Sequence, residues 1–385
     1  MASHQLRLQP WRYLHEVALQ LNSRGHDVTV ITDNGQLAER EVIQGVSAIR
    51  IPSVSNPRGR KNAQLQVIIQ RLTPNVVLWH VGLTSFLHQR LMIANNAPTI
   101  GIFTSPIYRT AELSRLGLRR IAQGYRLSGT HVLGTLLPKL FVRRSVNSGM
   151  LQKLVVQTET TRRRLLGHGL RSEHIHVIPP GIDKIWSQAP NDGQLRQSLG
   201  YDCTDTVVLY FGSPAPLRGL HSLIRALEIA RCADQSIKLL VLSRRHSDEL
   251  MREDADLARL LNHNQIESHV KVVSGYLAEV ALVEHVAACD MVALPFELVP
   301  SDAPLSLLEA QALGKPVITT RVGCLEELVA HDSRYLAEPG DPHTLALALQ
   351  QAAKDLRAGQ SAAARPPARN WEQMGIEWSE FIQSL

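Results

Sequence analysis

SDAPLSLLEAQALGKPVITTRVGCLEE, residues Ser301 to Glu327, reads as a helix, a glycine turn, a short strand, a second glycine turn and a further helix. Pro304 suits a first helical turn, where its missing N–H is no loss, and Asp302 or Ser301 can cap the free amides. Gly314 ends the helix, and Pro316, Val317, Ile318 and Thr319 form a short buried strand. Inside the helix a single carboxylate, Glu309, is flanked by Leu307, Leu308, Ala310 and Ala312. A desolvated charge needs a partner. Either Glu309 faces solvent on an amphipathic helix, or it stands at the mouth of a sheet and accepts hydrogen bonds from ligand hydroxyls.

The same alternation of short apolar strands and helical patterns runs along the chain, which predicts parallel sheets covered by helices on both faces. In the first half the strands are expected at Val28–Thr32, Val46–Ile51, Val76–His80, Thr99–Phe103, Leu154–Gln157 and Ile175–Ile178. In the second half they are expected at Val207–Phe211, Lys238–Leu242, Val270–Val273, Met291–Leu294 and Val317–Thr319. Trp11–Ser23 patterns as a helix with Leu14, Val17 or Ala18, and Leu21 on one face. Pro179-Pro180-Gly181 followed by Asp183 is the clearest hinge. The final stretch, with Trp371, Trp378 and Phe381, is an amphipathic helix.

A chain of 385 residues is too long for one ordinary core and suits two α/β domains. No apolar run reaches the ~18 residues of a membrane span, and no signal peptide is seen. The expectation is a cytoplasmic protein, peripheral on the membrane face at most. The four cysteines lack C-x-x-C spacing, which argues for reduced thiols and against a metal cluster. Charge is divided: residues 1–180 hold 23 Lys and Arg against 8 Asp and Glu, and the remainder 18 against 27. Much of the positive charge lies between Arg109 and Arg171, including Arg119, Arg120, Arg143 and Arg144, interleaved with apolar residues. Such a face is either solvated surface or a dock for an anionic membrane surface or a phosphate-bearing acceptor. No nucleic-acid-binding motif accompanies it, so nucleic acid is not an expected partner.

The opening stretch resembles the donor-site signature of the retaining, GT-B-fold "glycosyl transferases group 1" family (GT4-like). Glu309 matches the second of that signature's two glutamates; Gly314-Lys315-Pro316-Val317 matches its middle, and Gly323 with Glu327 its closing turn. Ser301 stands where the first glutamate would, with Asp302 beside it, and Cys324 replaces a glycine. The resemblance implies an α/β, GT-B fold: two Rossmann-like domains whose parallel sheets face a central cleft, with a C-terminal helix crossing back to the first domain. It sets the domains at 1–180 (acceptor side), 181–368 (nucleotide-sugar side) and 369–385 (returning helix). Members open with a strand and a glycine-rich loop; here Met1–Gln9 is polar, so that first strand is expected to be missing or degenerate.

Glycosyl transfer needs a grip on the nucleotide, neutralisation of the departing diphosphate and a positioned acceptor hydroxyl. The loop Gly212, Ser213, Pro214, Ala215, Pro216, Leu217, Arg218, Gly219 after a strand offers backbone N–H groups and a helix N-terminus to an anion. The family carries an arginine and a lysine in this loop; here those positions are Ser213 and Arg218. Arg218 can fork two hydrogen bonds to phosphate oxygens, or it can snorkel beside the helix start. Tyr276 stands where relatives abut the nucleotide base, and either covers that base or packs against its own sheet; Asp290 is expected to act as a cap. His80, at a strand end facing the expected cleft, orients donor or acceptor, or is simply hydrogen-bonded locally. Thr104, Ser105 and Tyr108 are weaker acceptor-side candidates.

The predicted catalytic residues are therefore Arg218 and His80. The predicted donor-binding residues are Gly212, Ser213, Arg218, Gly219, Tyr276, Ser301, Asp302 and Glu309. No metal or other cofactor is expected. The resemblance implies a hexosyltransferase that takes a nucleoside-diphosphate sugar, retains anomeric configuration and acts on a glycan, lipid or lipid-linked hydroxyl. The rival is a catalytically silent protein of the same fold that partners an active transferase.

Overall fold

The computed structural model describes residues 11–33, 40–51, 63–85, 97–116, 135, 137–188, 193–213, 217–243, 261, 266–299, 301–329, 334–360 and 368–385. Met1–Gln9, Arg119, Arg120 and Pro214–Pro216 lie outside the described residues. Strands run in chain order β1 Thr29–Asp33, β2 Arg40–Ile43, β3 Val46–Ile51, β4 Val77–Val81, β5 Thr99–Phe103, β6 Lys153–Val156 and β7 Ile175–Val177. They continue with β8 Thr206–Gly212, β9 Ile237–Ser243, β10 Val270–Ser274, β11 Met291–Ala293, β12 Val317–Thr320 and β13 Leu336–Ala337. Every strand expected from the sequence forms, each end within one residue.

The second half is a six-stranded sheet in the order β10-β9-β8-β11-β12-β13, every pair parallel. Strand order reverses at β8, so a crevice opens outside the carboxyl ends of β8 and β11, where ligands of doubly wound sheets bind. Continuous apolar runs suit strands buried on both faces. Val208, Tyr210, Leu239 and Val241 point into a core closed by the helices Leu220–Ala233 and Pro342–Arg357. Val207, Leu209, Leu240 and Val292 point into the core on the other side.

The first half is in two pieces, β1-β3-β2 and β4-β5-β6-β7. Among the described residues β1 pairs only with β3 and β4 only with β5. Trp79 of β4 and Ile31 and Ile49 of β1 and β3 pack against one cluster of Ile51, Leu65 and Ile69, so the two pieces adjoin. The expected missing or degenerate first strand falls on Met1–Gln9, outside the described residues.

Two chain segments cross side by side. Ile182 N donates to Arg369 O at 2.9 Å and Ile182 bridges Asn370. Gly181 lies so close that a Cβ there would sit 2.3 Å from the backbone of Asn370 and Trp371. The helix Trp371–Gln383, started by an Asn370 capping box, returns to pack on Trp11–Ser23. Trp378 Nε1 donates to Tyr13 Oη at 3.1 Å, and Tyr13 donates to Ile178 O at 2.8 Å. Arg12 ties Glu16 and Asp183 and lies over the Trp371 ring.

Candidate functional site

The described ends of the loop after β8, Gly212–Ser213 and Leu217–Gly219, hold an uncommon backbone. Gly212 has φ 139°, Gly219 φ 82° and, unusually for a residue with a side chain, Leu217 has φ 67°. Left-handed backbone at a non-glycine residue is costly and persists only where neighbours enforce it. They do: the Glu297 and Leu298 amides both donate to Leu217 O, at 2.8 and 3.0 Å. Gly219 is required, because a Cβ would fall 1.8 Å from Pro295 O. The result turns Arg218 back over the end of β8, its Nη1 3.5 Å from where a Gly212 Cβ would stand. Gly212, Arg218 and Gly219 are thus assembled at the mouth of the reversal point, directly before the helix Leu220–Ala233.

One further acid enters this loop that the sequence reading passed over. Glu297 is buried and accepts from Ser222 Oγ at 2.8 Å, in the first turn of that helix. An acidic group near a helix N-terminus is favourable. Its sequence context, Pro295-Phe296-Glu297, carries no local sign of this. Ser213 supplies its carbonyl to Tyr210 Oη at 2.8 Å. Tyr276 follows β10, two strands away from β8 and so about 10 Å aside; it is half exposed.

From the first half, the carboxyl ends of β4, β5 and β6 face the loop that follows β11. His80 Nε2 is 3.1 Å from Thr104 Oγ1, and its ring is 6.1 Å from that of Trp11. Water reaches the ring, yet protein crowds it, as on a cleft wall, and desolvation pushes its pKa down to about 4. Either view leaves a neutral imidazole at pH 7. Thr104 O accepts from Asp302 N at 2.7 Å. His80, Thr104 and the Ser301–Asp302 pair are therefore neighbours, as the two-sided cleft requires.

The expected helix start is corrected. The helix runs Leu305–Ala312 with Pro304 at its N-cap and no side-chain cap, so neither Ser301 nor Asp302 caps it. Asp302 reaches instead across to the first half. It is fully buried and accepts from Gln157 N at 3.2 Å, Thr158 Oγ1 at 2.9 Å and Thr161 Oγ1 at 2.6 Å. Burial outweighs those bonds and raises its pKa to about 7. Ser301 is buried beside it, and Glu309 is half-buried on the helix that follows. Asp290 caps no helix; it accepts from Val207 N and Arg196, tying β8 to the helix Gly193–Ser198.

Two α/β halves with facing carboxyl strand ends, parallel but for the antiparallel pair β2–β3, define a two-domain architecture whose ligand crevice lies between Arg218 on one side and His80 on the other. Residues 205–355 match the family described as "Glycosyl transferases group 1" and residues 11–184 the one described as "Glycosyltransferase Family 4". The chain belongs to this group 1, family 4 set of GT-B glycosyltransferases. Among curated relatives, D-inositol 3-phosphate glycosyltransferase of Kineococcus radiotolerans is 30% identical over 47% of this chain and 42% of its own length. Its counterpart in Corynebacterium kroppenstedtii is 23% identical over 96% and 84%. The Kineococcus relative is thus matched over less than half of its own length. Among solved structures, Anabaena Alr3699/HepE in complex with UDP and glucose superposes with a TM-score of 0.64 at 18% identity, covering 89% of this chain and 87% of that one. WaaG, a glycosyltransferase involved in lipopolysaccharide biosynthesis, gives 0.60 at 18% over 97% and 92%.

Proposed function

We propose that this chain is a hexosyltransferase that moves a sugar from a nucleoside diphosphate to an acceptor hydroxyl with retention. The observation that carries it is Arg218, folded over the end of β8 by a strained, multiply tethered loop at the sheet's reversal point. A guanidinium there meets a diphosphate entering along the helix N-terminus, and neutralises charge as the leaving group departs. That supplies by side chain what a metal supplies elsewhere. Glu309 accepts hydrogen bonds from donor hydroxyls, and neutral His80, set by Thr104, orients the sugar or the acceptor. Tyr276 flanks the base. The acceptor is a glycan, lipid or lipid-linked hydroxyl, and the basic first half favours one presented at an anionic membrane. Among the described residues no helix is long and apolar enough to cross a membrane, which leaves peripheral docking on a cytoplasmic face as part of the proposal.

The silent-partner reading rests on Ser213, Ser301 and the engagement of Asp302 across the halves. A thermal-shift panel of UDP-, GDP- and ADP-hexoses separates the two, since a ligand that binds only the native state raises its melting temperature. UDP-glucose heads the panel because Alr3699/HepE is held with UDP and glucose. A donor-dependent rise is expected; no rise with any donor favours the silent partner.

A further inference from the structure

The helix Glu159–Gly167 of the first half begins with a side-chain cap of its own, Thr158 Oγ1 accepting from Thr161 N. Its first two amides are capped from the other half of the molecule. Glu159 N and Thr160 N donate to the two carboxylate oxygens of Glu327, at 2.9 and 2.6 Å. Asp302 takes the hydroxyls of Thr158 and Thr161 and the amide of Gln157 beside it. A second pair of ties flanks these. Tyr108 Oη donates to Val299 O and accepts from Val299 N, at 2.9 and 2.8 Å. Arg164 Nη2 reaches Gly323 O at 3.1 Å and Glu112 at 2.8 Å.

Apart from the Thr158 cap and the Arg164–Glu112 pair, which lie within the first half, these ties join the first half to the stretch Val299–Glu327, which contains Ser301, Asp302 and Glu309. At Asp302 both the amide and the carboxylate are already engaged by first-half groups, and Pro304 has no N–H to offer. The junction also has a flaw. The side-chain amide of Gln157 is buried at 2% exposure, and among the described residues neither its nitrogen nor its oxygen has a protein partner. A buried amide without a protein partner works against the closed arrangement.

We propose that Glu327 and Asp302 form a latch between the halves, and that a donor sugar gains the Ser301–Pro304 position only when the trans caps on helix Glu159–Gly167 let go. This rests on the nucleotide-sugar reading of the site. A ligand that needs the open form binds with an affinity reduced by the open fraction, so loosening the latch tightens donor binding. If a tenth of the molecules are open, full release gives about a tenfold gain.

The test uses the whole chain with Glu327→Gln and, separately, the near-isosteric Thr161→Val, which withdraws one donor from Asp302 without touching the turn. Amide exchange at Glu159 and Thr160, the small-angle-scattering radius of the ligand-free protein and the dissociation constant for UDP-glucose are measured for each. Faster exchange, a larger radius and several-fold tighter binding in both variants are expected. Unchanged exchange and radius overturn the latch, as does an opened variant that binds donor no better than wild type. Variants that open while neither they nor wild type take any nucleotide sugar overturn the functional reading, and with it the gating of a donor.

Discussion

Replacing Asp302 by Asn isolates the proton held at the junction. The carboxyl is fully buried, and desolvation, opposed by the bonds from Thr161, Thr158 and Gln157 and reinforced by nearby Glu327, raises its pKa from 3.8 to about 7. In the unfolded chain it titrates near 3.9. The native state therefore keeps a proton that the unfolded state gives up between those values. The stabilisation is fully present below the unfolded value and is lost as pH rises through about 7. Three units at ~1.4 kcal/mol each set a ceiling of about 4 kcal/mol. Only the part between pH 5 and about pH 7 falls within the measured range, and about 2 kcal/mol is the working figure. Burial pushes the pKa values of Cys324 and Tyr13, which feel Asp302, upward, so both stay protonated through the window. Asn keeps the shape and cannot ionise. Melting temperatures of wild type and D302N are compared from pH 5 to pH 8. The variant should gain on wild type steadily from pH 5 to about pH 7 and hold that gain, level, above it. By pH 8 it should lead by a few degrees, the shift that 2 kcal/mol gives a domain of this size. A difference between the two proteins that does not change with pH refutes the reasoning.

Gly219→Ala adds a methyl that would meet Pro295 O at 1.8 Å in left-handed backbone. It should lower the melting temperature and abolish donor-induced stabilisation, both read by thermal shift, and a variant that still responds normally to donor counts against the loop's role. Glu309→Gln keeps the shape but weakens charge-assisted bonds worth roughly 1.5–3 kcal/mol. Donor affinity by calorimetry should fall tenfold or more at unchanged melting temperature; an unchanged dissociation constant returns Glu309 to a structural role.

The architecture was legible because strands buried on both faces print as short apolar runs between helical patterns. What escaped has local reasons. β2 is missed because Arg40 and Glu41 sit on an edge strand, and its turn to β3 is Gln44-Gly45, with φ 50° and 87°, where Asn-Gly is the usual signal. β13 has two residues, too few for any period. In the site, Arg218 and Gly219 follow from a strand, loop and helix read in one window. Asp302 misleads, since Ser301-Asp302 before Pro304 looks like a cap for the next helix. Its real partners, Thr158 and Thr161, are 144 and 141 positions away, and nothing in either segment points to the other. Glu297 and its partner Ser222 are 75 apart and equally silent.

The central claim is that Arg218 stabilises a departing nucleoside diphosphate, and turnover tests it most directly. Release of nucleoside diphosphate from the donor that the thermal-shift panel selects is followed with wild type, Arg218→Ala and Arg218→Lys, with circular dichroism confirming the fold. The guanidinium matters more in the transition state than in the bound donor. Loss of one charge-stabilising donor should therefore lower turnover about a hundredfold or more in the alanine variant. Lysine, which keeps the charge and loses the fork, should restore part of it. Equal turnover in all three proteins, or a folded wild type inert toward every nucleotide sugar, would contradict the account.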